Sequence, residues 1–144
     1  MLAVDRTVQA EVSATPEQCL ARLADVAQYP TWSSLITSAD IRDPRPDGST
    51  ARASLRAEVL KLGVEMDCAL DVSDDRAVLR RLPYDAEDQE RFTTAWTVTP
   101  SAQGSLIALH VEAALDAPGP ANLLRRRIER ALVDDLLADF VRAL

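Results

Sequence analysis

The chain has 144 residues, 47% of them hydrophobic and 27% charged, with a net charge of −7. These values predict one domain over residues 1–144 with a buried core. They also argue against nucleic acid as the main partner, because phosphate binding needs a basic surface. No apolar run approaches the roughly 20 residues of a membrane span. The opening MLAVDRTVQAEV lacks the regions of a signal peptide, so a cytoplasmic location is expected.

Aromatic residues make up only 4%, and Lys61 is the single lysine. The interior must therefore be built from Ala, Val and Leu, and the arginine bias looks like the product of a GC-rich bacterial genome. Cys19 and Cys68 are far apart and read as small buried hydrophobes. With His110 as the only histidine, no metal site or other cofactor is expected, and Ser-His or Cys-His arrangements are disfavoured.

Residues 3–12 alternate, with Val4, Arg6, Val8, Ala10 and Val12 on the inner face of a half-buried strand. A helix follows, with Thr15 as N-cap, Pro16 at N1 and Gln18 completing a capping box. Pro30 is expected to end it near Gln28 and to open a second short helix through PTWSSL, anchored by Trp32. Six strands come next. ITSADIRD is closed by the turn PRPDGS. ARASLRAEVLKL and VEMDCALDV form a hairpin, for which a Leu62-Gly63 turn would set Val59 opposite Met66 and Ala57 opposite Cys68.

RAVLRRL has two registers across Ser73–Arg76, one placing Val78, Arg80 and Leu82 inward, the other Ala77, Leu79 and Arg81. The first buries more apolar surface and is the expectation. After the acidic loop PYDAEDQE, RFTTAWTV sets Phe92, Thr94, Trp96 and Val98 on one face. SLIALHVEAAL then alternates, with Ile107, Leu109 and Val111 inward and His110 outward beside Glu112.

From about Pro120 to Leu144 no residue breaks a helix. Its apolar row is Leu124, Ile128, Leu132, Leu136, Phe140 and Leu144. A strict four-residue spacing drifts by roughly 40° per step, so this face winds around the helix. The stripe is narrow before Leu132 and broad after it, which predicts an N-terminal gate and a C-terminal anchor. Arg125, Arg126, Arg127 and Arg130 precede Asp134, Asp135 and Asp139, the reverse of what the dipole of one continuous helix favours. Three readings explain it: exposed charges that are screened and incidentally placed, arginines latched onto loop 85–90, or a homodimer through this helix that uses the broad apolar face.

The order β-α-α-β6-α, with a seven-stranded curved antiparallel sheet around a long C-terminal helix, is an α+β architecture. It resembles the START-like helix-grip superfamily, also called SRPBCC, and in particular its polyketide cyclase/dehydrase and lipid-transport group. The likeness is densest in V-x-A-x-V-S-A-T-P-E-Q (residues 8–18) and L-A-D-V-A-Q-Y-P-T-W (residues 23–32). A-W-T-V-T-P (residues 95–100) and Gly104-Ser105 extend it. The resemblance implies a helix-grip fold with a hydrophobic cavity between sheet and helix.

It further implies binding or carriage of a small hydrophobic molecule such as a lipid, polyketide or quinone. A polyketide cyclase, aromatase or dehydratase is the enzymatic alternative, and a filled core acting through protein contacts is the third. Cavity candidates are Arg6, Trp32, Met66, Arg80, Tyr84, Thr94, Trp96, Leu124 and Ile128. Arg6, between two valines, is either a cavity anchor or neutralised by a carboxylate. No pair of carboxylates has a spacing that argues for general acid–base work, and no catalytic residue is assigned; Arg6, Arg80, Thr94 and Tyr84 are the polar groups an enzyme would have to use.

Overall fold

The computed structural model describes residues 1–44, 50–116, 119 and 123–144. Seven strands form one antiparallel sheet in the order β1-β7-β6-β5-β4-β3-β2. They are β1 (Leu2–Val12), β2 (Ile36–Pro44), β3 (Thr50–Val59), β4 (Leu62–Val72), β5 (Arg76–Arg81), β6 (Arg91–Pro100) and β7 (Ser105–Leu115). Each hairpin neighbour pairs with the next, and β1 closes onto β7 through Leu2↔Leu115 to Val12↔Ser105. The expected turn PRPDGS, beyond Pro44, and the prolines at 118 and 120 lie outside the described residues.

Between β1 and β2, α1 (Pro16–Ala24) opens with the expected capping box: Thr15 Oγ1 accepts from Gln18 N–H at 3.2 Å, and Gln18 Oε1 accepts from Thr15 N–H at 2.9 Å. The helix stops at Ala24, earlier than expected, because Asp25 leaves helical geometry at φ −93°, ψ 76°. A 3₁₀ turn (Val26–Gln28) and the short α2 (Tyr29–Trp32) follow. Pro30 therefore sits inside the first turn of α2, where its missing N–H is harmless. This tight corner buries Val26 and Tyr29 together, and the Tyr29 hydroxyl donates to Leu23 O at 2.5 Å.

Two expected registers are corrected. In the β3–β4 hairpin, Val59 pairs with Leu62 and Leu55 with Met66, so the turn is Leu60-Lys61. Both turn residues carry positive φ, 52° and 69°. Gly63 lies in the strand, where its bare Cα lets the Arg56 guanidinium cross over it. The shift is by an even number of residues, so the inward set of side chains is unchanged.

The β4–β5 register is the disfavoured one: Leu70 pairs with Leu79 and Cys68 with Arg81. Ala77 and Leu79 are buried, and Arg80 lies on the outer face near Asp71 at 3.7 Å. A comparison of apolar area alone misses the reason. Arg81 can point inward because it has partners there.

The C-terminal helix is not continuous. α3 (Arg125–Leu132) ends at Val133, whose φ −118° and ψ −70° interrupt it, and α4 (Asp134–Ala143) follows. A straight helix with four-residue spacing would rotate Phe140 about 120° away from Ile128. The break resets that phase, so that Ile128, Leu132, Val133, Leu136 and Phe140 are all buried. It also relieves part of the dipole conflict, although Arg125, Arg126 and Arg127 still crowd the first turn of α3. Asp134 and Asp135 now stand in the first turn of α4 and Arg130 in the last turn of α3, each at its favoured end.

The broad apolar face after Leu132 is spent on the chain's own core, so it does not supply the dimer surface that the sequence suggested. The latch is not formed either. Among the described residues, no ion pair joins Arg125, Arg126, Arg127 or Arg130 to loop 85–90, and Arg125 donates instead to Ala3 O at 2.8 Å.

Candidate functional site

Between the inner face of the sheet and α3 lies a cavity of about 270 Å³. Its floor is Leu35 and Phe92, and its helix wall is Ile128 and Leu132. The β3–β4 hairpin supplies Ala57, Val59, Val64 and Met66, while Leu2 and Leu115 close the far side. The cavity exists because small or unpaired positions face it. Ala57 brings little volume, and the hairpin extends past the last β4–β5 pair at Cys68↔Arg81. Leu62 and Val64, at the hairpin end, are about half exposed, as is usual at an open rim. Two larger hollows, of about 570 and 580 Å³, lie outside it, one along α1 and the other on the outer face of β2, β3 and β4.

One wall is polar. Arg81 is 13% exposed, and its Nη2 pairs with Asp88 Oδ2 at 2.7 Å, while Nη1 donates to Glu90 O at 2.9 Å. Asp88 also accepts the N–H groups of Tyr84 at 2.8 Å and Glu90 at 3.0 Å. The hydrogen bond from Arg81, aided by these amides, holds the Asp88 carboxyl down to a pKa of about 2. The acidic loop is thus folded around an inward arginine. Glu90 and Asp116 line the same cavity.

The sequence candidates separate into three groups. Met66 and Ile128 line the cavity, and Leu124, 37% exposed, lies one helical turn before Ile128. Trp32, Thr94 and Trp96 lie deeper, around a space of only about 10 Å³ that shares Leu35 and Phe92 with the cavity. There Phe140 packs tilted against Trp96 at 4.9 Å and edge-on against Trp32 at 5.3 Å, behind the cavity's base. Trp32 Nε1 is buried with no acceptor among the described residues.

Arg6, Arg80 and Tyr84 lie elsewhere. Arg6 is neutralised by carboxylates, binding Asp134 at 3.0 and 3.1 Å with Glu129 at 3.7 Å. Arg80 faces outward, and Tyr84, 90% exposed, borders the outer polar hollow. Arg81 and Glu90 were missed. The signal for Arg81 was its place in the rejected register, followed by the carboxylates of the next loop.

Cys19 and Cys68 are buried free thiols, and burial pushes Cys68 up to about 12, so it stays protonated at neutral pH. On the exposed face of β1 and β7, Asp5, His110 and Glu112 approach one another within 4.8 Å, and His110 Nε2 meets Asp5 Oδ1 at 2.7 Å. No helix among the described residues is long and apolar enough to cross a membrane.

A curved sheet gripping a terminal helix over an apolar cavity is the arrangement that the sequence motifs implied. Residues 3–144 match the family model described as polyketide cyclase/dehydrase and lipid transport. The chain belongs to this family. No curated protein matches it.

Among solved structures, a START superfamily protein from Mycobacterium smegmatis superposes with a TM-score of 0.59 at 19% identity, covering 96% of this chain and 99% of the other. The ZhuI aromatase/cyclase from Streptomyces sp. R1128 gives 0.69 at 19% identity, over 98% and 92%. A STAR-related lipid transfer protein fragment from Xanthomonas axonopodis gives 0.70 at 12% identity, over 95% and 83%. At these identities the likeness carries the fold.

Proposed function

We propose that this member of the family binds or carries a small hydrophobic molecule, of lipid, polyketide or quinone-like kind, between the sheet and α3. The observation that carries this reading is the 270 Å³ cavity with its mainly aliphatic lining and exposed aliphatic rim. A volume of this size sits near the lower end of small-molecule sites, which favours a compact ligand over a two-chain lipid. Met66 and Ile128 serve as walls and Leu124 as part of the rim, while Trp32, Thr94 and Trp96 form the rigid base. The family description and the neighbours named as an aromatase/cyclase and a lipid transfer protein support the same ligand class. The net charge of −7 disfavours nucleic acid as a partner.

A cyclase, aromatase or dehydratase is the second reading, and the Arg81–Glu90 wall is what favours it, since such chemistry needs polar groups at the ligand. Carriage is preferred because Asp88 already occupies the Arg81 charge, and the rest of the polar lining, Glu90 and Asp116, brings carboxylates but no His, Lys, Cys or Tyr.

Native mass spectrometry of protein purified from its own host tests the reading. An apolar molecule should co-purify with the wild type and be absent from Ala57→Phe, which fills the cavity. Repeated recovery of empty wild-type protein that also fails to bind apolar fluorescent probes overturns it.

A further inference from the structure

The cavity is apolar except where Arg81 and Glu90 meet its wall, and that pair constrains what can occupy it. Arg81 spends one N–H on Asp88 and one on the Glu90 carbonyl, which leaves three of its five donors. The Glu90 carboxylate has no ion-pair partner among the described residues. A bare hydrocarbon would desolvate both groups and return nothing to them. An anion fares no better. The Arg81 charge is matched by Asp88 at 2.7 Å, and Glu90 and Asp116 add two more negative charges to the same lining.

A neutral hydroxyl suits both kinds of group in the lining, since its oxygen accepts from a guanidinium such as Arg81 and its proton is donated to a carboxylate such as Glu90. Size narrows the class further, because 270 Å³ holds roughly nine water-sized groups at about 30 Å³ each.

We propose that Arg81 and Glu90 form an oxygen-recognition subsite that selects a neutral phenol or alcohol on a compact apolar ligand of about ten heavy atoms. This rests on the reading of the cavity as a ligand site and adds the headgroup to it. Asp88 acts as a positioning residue, holding the guanidinium at the wall and folding the loop that brings Glu90 there.

The test is a comparison of naphthalene, 2-naphthol and 2-naphthoate at neutral pH, by titration calorimetry on the full chain. The expected result is that 2-naphthol binds roughly tenfold or more tightly than either relative, the effect of one hydrogen bond to a charged group. Arg81→Met removes that preference, so that 2-naphthol binds no more tightly than naphthalene. Should Arg81→Met fail to fold, Glu90→Ala, whose side chain holds no partner, carries the same comparison and shrinks the preference severalfold. In the wild type, titration with 2-naphthol and not naphthalene should shift the Arg81 side-chain N–H resonances.

Equal binding of naphthol and naphthalene overturns the subsite, and so does tightest binding of naphthoate. If none of the three binds, the ligand-site reading itself falls and takes the subsite with it. That failure differs from loss of selectivity alone.

Discussion

Arg6 on β1 holds both carboxylate oxygens of Asp134, at 3.0 and 3.1 Å, across 128 residues of sequence. Its Nη1 also reaches Glu129 at 3.7 Å. Glu129 belongs to α3 and Asp134 to α4, so one guanidinium spans the break at Val133. Arg6→Ala should loosen α3 against the sheet while α4, anchored by Phe140 and Leu136, stays in place. Hydrogen exchange is the measurement: faster exchange is expected at residues 128–132, with residues 137–143 unchanged. Equal loss in both helices would show that the pair only adds to overall stability.

Asp88 makes the acid limb of stability specific. Its folded pKa of about 2 lies below the ordinary 3.8. A carboxyl with a depressed folded pKa stabilises the fold above its unfolded pKa, and that contribution is lost as pH falls toward the folded one. The urea midpoint of the wild type should therefore fall between about pH 4 and pH 2 by more than that of Asp88→Asn. Parallel curves for the two proteins would mean that Arg81 and Asp88 do not interact in solution.

Phe140 is fully buried and touches both tryptophans. Phe140→Ala removes a large side chain from a site whose neighbours are rigid rings, and should cost about 3–5 kcal/mol. Denaturant unfolding measures it. Leu144→Ala, at the exposed end of the same row, should change stability by no more than about 0.5 kcal/mol.

The β3–β4 turn is strained by its residue types. Leu60 and Lys61 hold φ of 52° and 69°, which costs a non-glycine residue about 1–2 kcal/mol. Replacing the pair with Asn-Gly, the residues that such turns favour, should raise stability by about 1 kcal/mol or more. Thermal unfolding of Leu60→Asn/Lys61→Gly checks it. A lower melting temperature would mean that Leu60 contributes more by packing against the core than its backbone costs.

The succession of elements along the chain, the capping box at Thr15 and the inner faces of β1, β6 and β7 were legible in the sequence. They depend on alternation and on residues a few positions apart. The β3–β4 turn was misplaced because Gly63 is the obvious turn residue, whereas its actual use is to let Arg56 pass. β5 was set in the wrong register because apolar area was compared without the carboxylate, seven residues later, that makes an inward arginine affordable.

By itself, then, the sequence determined the family, the sheet and the presence of a helix to grip, since periodicity and short motifs encode those locally. Only the tertiary structure decided how the C-terminal helix is used. Four-residue spacing cannot keep one straight face on a sheet, so the chain breaks at Val133. α4 becomes the anchor, and α3 roofs a cavity whose polar wall is Arg81 instead of Arg80. Contacts that periodicity does not encode settled both choices, Arg6 with Asp134 across 128 residues at the break and Arg81 with Asp88 across one loop at the wall.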